Sequence, residues 1–417
     1  MENTYEIRYG RAVRIGVVVA FTIAAATGAF FRFGAAYGIS AGLDLTNVRH
    51  AHTHLMHFAW VTPALFLLIN VRLSQWTKRP APGLSVLSTV AALVLGLVSY
   101  LPFLFVGYAP LDLGFASMPP SVVIAGLNML AWYGYVVGYL QHTKGIDRPL
   151  FVSLFDAALL FMVLASLGAW GISIIVSLRL EGILWPTAMT HLFLDYFSEG
   201  WLLFGVLGLA AYGIPIPENK QKIAAAALWM LIAGTAVSFL LGMPKSLVSA
   251  PAQVLARIGG SMMAVGLVAM LLILWRSATG AWRVPFSFLV IKVVGLFIVS
   301  VTPLIWWSEL FGERILYIHA NLLGFVSLGI FAAFATVWPQ SDTGARLWMN
   351  RAVILVVLSL VPLTSFWPSA LRGPWMIYAV AWVALGPVIA GLYFLTSVRR
   401  AVPAAKRTPP GPFEDAV

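Results

Sequence analysis

The chain is 417 residues long, 60% hydrophobic and only 10% charged, with a mean hydropathy of +0.90. A soluble domain of this length carries roughly a quarter of its residues charged, so water cannot solvate most of this surface. Cysteine is absent, which excludes disulfide frameworks, thiolate metal sites and cysteine nucleophiles.

Apolar runs of about twenty residues, enough for a ~30 Å hydrocarbon core, recur along the whole chain. They predict spans at 11–35, 52–73, 84–107, 119–141, 150–176, 187–213, 222–242, 252–275, 285–308, 314–338, 350–368 and 375–397. Only helices satisfy their own backbone over such lengths in lipid. The expected fold class is therefore an all-α polytopic membrane protein with about twelve transmembrane helices. Connections are short and rich in Pro, Gly and charge, as in Lys78-Arg79-Pro80-Ala81-Pro82. One transmembrane domain, 1–398, and a disordered cytoplasmic tail, 399–417, are expected. The polar N-terminus runs into a full-length span without a small-residue cleavage site, so no signal peptide is expected.

The net charge of +11 would suit nucleic acid, but its placement says otherwise. One set of span ends carries Arg8, Arg11, Arg14, Arg72, Lys78, Arg79, Lys144, Arg148, Lys220, Lys222, Arg276, Arg283, Arg346, Arg351, Arg399, Arg400, Lys406 and Arg407, eighteen of the 26 Lys and Arg. The opposite ends carry Arg32, Arg49, Arg179, Lys245, Arg257, Arg314 and Arg372. By the positive-inside rule both termini are expected to be cytoplasmic. The charge is a topology signal for a multi-pass protein of the inner membrane, with lipid and not nucleic acid as its partner. Lys292 alone falls within a span, near enough to the cytoplasmic side to be expected to snorkel back to water.

Seven histidines are present. His142 sits beside Lys144 in a connection and is expected to be solvated. The other six fall at the starts of three spans: His50, His52, His54 and His57 at the second, His191 at the sixth and His319 at the tenth. On the charge-derived orientation all six share one depth, in the outer leaflet, as ligands of haem iron or another metal would. In the sixth span His191, Asp195 and Glu199 are spaced i, i+4, i+8, one stripe about 80° wide and about 12 Å long. Ionisable groups inside a span cost roughly 2.5–3.5 kcal/mol each on insertion scales, so such a stripe faces a cavity, a partner helix or a metal. In the second span His50, His54 and His57 share a face and His52 points nearly opposite, so the four cannot serve one ligand; His50 is expected at the interface.

Twelve spans with histidines opening the second, sixth and tenth resemble the catalytic subunit of the haem–copper oxidase superfamily, nearest the nitric oxide reductase branch. That branch carries His-Leu-x-x-Glu-x-x-x-Glu in its sixth span, and this chain has His191-Leu192-Phe193-Leu194-Asp195-Tyr196-Phe197-Ser198-Glu199. The family's second-span His-Thr-Asn is matched by His52-Thr53-His54. Its tenth-span His-x-His, whose first member binds the high-spin haem and whose second binds the low-spin haem, is matched by His319-Ala320-Asn321, with the second ligand replaced. Its seventh-span Gly-Thr-Gly-His-His-Tyr is matched by Gly234-Thr235-Ala236-Val237-Ser238-Phe239, with both histidines gone.

The resemblance implies a b-type haem held by His52, His54 or His319, with Arg372, Arg49 and Arg314 against its propionates. It also implies a non-haem iron or copper at His191, Asp195, Glu199 and His319, and Asp195 and Glu199 as proton carriers. Two arrangements survive the missing ligands: a haem on His319 beside a carboxylate-rich metal site, or one haem clamped between a second-span histidine and His319. The implied function is reduction or binding of nitric oxide or oxygen, with electrons from a periplasmic cytochrome, a quinol or a partner subunit. A non-catalytic haem or maturation protein and a proton-coupled transporter are the alternatives.

Overall fold

The computed structural model describes residues 4–112, 117–178, 180–212, 214, 216–276, 280–339 and 343–400. Within them lie twelve helices long and apolar enough to cross a membrane: Tyr9–Tyr37, Leu45–Thr77, Gly83–Phe105, Pro120–His142, Leu150–Ile175, Leu184–Ala211, Glu218–Leu241, Ala250–Leu274, Arg283–Val301, Phe311–Val337, Gly344–Leu363 and Trp375–Val398, numbered here as spans 1 to 12. The protein is an all-α polytopic membrane protein. Large side chains such as Leu87, Leu130, Leu160, Leu272 and Leu358 point outward and exposed, a surface that only lipid tolerates at this density. The expectations for Arg179 and for the tail beyond residue 400 lie outside the described residues.

Consecutive spans pack side by side, and span 12 returns against span 1. Spans 2, 6 and 10 are the most enclosed: 78%, 67% and 78% of their apolar stretch is buried, against 61% or less in every other span. Each of these three inner helices passes through a π-helical segment, at Leu55–Val61, Tyr196–Leu202 and Ala320–Ser327. Such wide turns are rare and concentrate at functional sites. The three helices are tied in a ring at this level. Trp60 Nε1 donates to Ser327 Oγ at 3.1 Å, Trp201 Nε1 to Thr62 Oγ1 at 3.2 Å, and Asn321 Nδ2 to Glu199 Oε1 at 3.4 Å.

Two span boundaries differ from the hydropathy reading in ways that move the site. Span 2 begins at Leu45, seven residues before the expected 52, because Asp44 caps it by accepting from Thr46 N at 2.7 Å. The polar stretch Leu45–His54 is invisible to hydropathy but is a capped helix, so His50, His52 and His54 stand well inside a helix and not at its frayed end. Span 9 stops at Val301 and not at 308. Beyond it the chain folds back as a loop, because Arg257 of span 8 gathers the carbonyls of Val299, Thr302, Pro303 and Ile305 at 2.8–3.0 Å. Trp306 in that loop is fully buried and donates to Met243 O at 2.7 Å.

Small residues let the outer helices approach the inner ones, as membrane packing favours. A Cβ at Gly96 of span 3 would lie 2.7 Å from the carbonyl carbon and oxygen of Phe58, inside the π segment of span 2. Gly96→Ala is therefore expected to destabilise the protein by about 1–3 kcal/mol, read as a lowered Tm in detergent. An unchanged Tm would mean that this approach is not tight.

Candidate functional site

The polar residues of spans 2, 6 and 10 sort onto two sides of span 10. Positions 317 and 321 lie one helical turn apart on one stripe, and position 319 lies nearly opposite.

On the first side Tyr317 and Asn321 face span 6. There the carboxylate of Glu199 forms an ion pair with the ammonium of Lys292 from span 9. Lys292 Nζ also donates to Tyr317 Oη at 2.8 Å, Tyr317 Oη donates to Glu199 Oε1 at 3.3 Å, and Asn321 completes the set. Lys292 is 0% exposed. This corrects the expectation that it snorkels to water: it sits ten residues into a nineteen-residue helix, and a carboxylate partner is nearer than the interface. A buried charge in lipid demands such a partner.

The same side holds a cavity of about 280 Å³. Its polar wall includes Thr53, His57, Asp195, Glu199, Tyr317 and Asn321, with Trp307, Met263 and Leu296 among its apolar lining. The stripe expected in span 6 is present: Asp195 and Glu199 both line the cavity, and His191 Nδ1 lies 3.3 Å from Asp195 Oδ2. Gly242 roofs that pair, since a Cβ there would lie 2.6 Å from Asp195 Oδ2. Asn321 is 2% exposed, and its Oδ1 has no hydrogen-bond partner. Arg314 is half-buried at this wall.

On the second side His319 turns away from the cavity. Its Nδ1 is 2.8 Å from Ile315 O, and the ring stands within Coulombic reach of Arg32 and His52. His52 points to span 1, where its Nδ1 meets Ala24 O at 2.7 Å, and it too feels Arg32. The ring packs against Gly28, where a Cβ would come 2.8 Å from His52 Cε1. In both histidines the backbone carbonyl takes the Nδ1 proton and leaves the Nε2 lone pair outward, the tautomer a metal ligand needs. Neither Nε2 has a hydrogen-bond partner among the described residues. Two such imidazoles can clamp an iron between them.

The remaining expectations divide. His54 does stand opposite to His52: it stacks on Phe103 with ring centroids 3.6 Å apart, and its Nε2 is 3.0 Å from Tyr108 Oη. Burial raises the Tyr108 phenol above its ordinary value, so it meets His54 as a neutral hydroxyl at any physiological pH. His57 lines the cavity, its Nδ1 2.9 Å from Thr53 O. His50 is half-buried against Tyr108. His142 is 4% exposed and bonded to Thr77 Oγ1 at 3.1 Å, a correction to its solvated reading. Arg49 is exposed, and Arg372 is occupied with the carbonyls of Thr364, Ser365 and Trp367 at 3.3–3.4 Å. The arginine beside the histidine pair is Arg32. His191, Asp195, Glu199 and His319 are not brought together: Glu199 is held by Lys292, and His319 is on the far side of span 10. Among the described residues no three His, Asp or Glu side chains converge on one point.

Sequence reasoning missed Arg32, Tyr317 and the role of Lys292. A signal existed for the last: a lone ammonium deep in one span requires one of the few carboxylates that lie within the others. No family model matches the chain, and no curated protein matches it either.

Proposed function

We propose that this chain is a membrane haem protein in which one b-type haem is clamped between His52 and His319, with Arg32 against its propionates. One observation carries the reading. Two imidazoles, from spans 2 and 10, each have Nδ1 tied to a backbone carbonyl, at 2.7 and 2.8 Å, and Nε2 left free. The residues fit the group: Gly28 leaves room beside the Cε1 edge of His52, where any side chain would collide with the ring, and a chain without cysteine holds haem without thioether bonds. A haem ligated in this way supplies a one-electron redox centre.

Set beside the haem–copper oxidase pattern, the family's His-x-His then falls on Tyr317-Ile318-His319, with tyrosine for the high-spin ligand and His319 for the low-spin one. This is the second of the two arrangements the sequence left open. With imidazole on both faces the iron offers no open position, so the reading favours electron transfer from a quinol, a periplasmic cytochrome or a partner subunit. It does not favour reduction of nitric oxide or oxygen at this haem.

The deciding experiment is a reduced-minus-oxidised optical spectrum of the detergent-purified protein, with and without carbon monoxide. One low-spin haem per chain, unchanged by carbon monoxide, is expected. A spectrum that responds to carbon monoxide would reinstate a gas-binding haem with a single protein ligand. A folded, colourless and metal-free preparation would overturn the haem reading and return the polar spans to a proton-coupled transporter.

A further inference from the structure

The span 6 stripe has the composition of a metal site and the wrong surroundings for one. Its imidazole and two carboxylates line up on one face, and an oxygen-rich set of this kind suits a hard or borderline divalent cation. Yet Glu199 already has a cation. Lys292 reaches it from span 9, fully buried, and binds Tyr317 as well. An ammonium with oxygen partners on two neighbouring helices satisfies the same electrostatic demand as a metal ion, but it is carried by the chain. We propose that Lys292 is the resident cation of this site: its ammonium stands in for the second metal, and the cavity is an acid–base chamber closed to divalent ions.

Three features agree with this. His191 is paired with Asp195, not aimed at Glu199, so the stripe is divided into two pairs, one per turn. Tyr317 is placed to bind both Lys292 and Glu199, which fixes the ammonium in position. Asn321 gives its amide to Glu199 Oε1, which occupies a carboxylate oxygen that a metal ion would need. The inference stands apart from the haem reading, because the histidine pair lies on the opposite face of span 10.

The test is titration of the purified protein with Co²⁺, followed by the visible absorption of the bound ion and by metal analysis. Wild type is expected to bind no Co²⁺ that His191→Ala or Glu199→Gln removes. Lys292→Ala is expected to gain one Co²⁺ per chain that wild type does not bind, and the Lys292→Ala/Glu199→Gln double variant to lose it again. A folded Lys292→Ala protein that binds Co²⁺ no better than wild type overturns the proposal. So does wild type that binds one equivalent at His191 and Glu199. Should Lys292→Ala not accumulate, the wild-type arm decides alone. The haem spectrum is recorded on the same samples, so failure of the haem reading and failure of this one are told apart.

Discussion

His319→Ala and His52→Ala are each expected to yield purified protein with less than a tenth of the wild-type haem absorbance, whereas His191→Ala keeps it. The argument is geometric. His319 and His52 lie on the same side of span 10, each fixed by a carbonyl on Nδ1, and non-covalent haem in a membrane bundle is held chiefly by its axial ligands and the fit of its pocket. His191 is bonded to Asp195 under Gly242 instead and contacts neither of the two. A milder variant probes the same pocket without removing a ligand. Gly28→Val would drive a side chain into the His52 ring, which lies 2.8 Å from the Cβ position, and is expected to reduce haem occupancy while Gly28→Ala reduces it less. Full haem in His319→Ala would sink the clamp. Loss of haem in His191→Ala with retention in His52→Ala would place the iron in the cavity instead.

The second large effect concerns the ion pair. Lys292→Met is expected to destabilise the protein by about 3–5 kcal/mol, because it strands the Glu199 carboxylate in a low-dielectric interior with only Tyr317 and Asn321 for company. The reciprocal Glu199→Leu strands the ammonium, the more deeply buried partner, and should cost at least as much. Removing both at once, Lys292→Met/Glu199→Leu, is expected to recover most of the loss, since buried pairs replaced by apolar residues are often neutral. Thermal unfolding in detergent of the four proteins forms a double-mutant cycle, and a coupling below about 0.5 kcal/mol would mean that the two charges are separately hydrated. The pair is then unlike a surface salt bridge: it sets which arrangement of spans 6, 9 and 10 is permitted, because any displacement of span 9 leaves two unpaired charges in lipid.

Much of the architecture was legible before any coordinates. Hydropathy alone placed all twelve spans, because lipid imposes a length and a polarity that a sequence must display openly. The three spans that open with histidines are the most enclosed ones, and of the i, i+4, i+8 stripe in span 6, Asp195 and Glu199 line a cavity while His191 pairs with Asp195. What hydropathy lost was polar helix. Leu45–His54 reads as a loop by composition, and only the Asp44 cap betrays it. The fold-back after Val301 reads as helix because Trp306, Trp307 and their neighbours are as apolar as a span. Their burial in a loop depends on Arg257, forty-odd residues upstream.

The amino-acid sequence by itself determined the number of crossings, since it follows from local periodicity and the cost of charge in hydrocarbon. Only the tertiary structure decided which polar groups meet. Helical phase around span 10, together with the rotation of spans 1 and 9 against it, put His319 with His52 and Arg32 on one face and Glu199 with Lys292 and Tyr317 on the other. That rotation is set by packing among helices far apart in the chain, and no window of residues contains it.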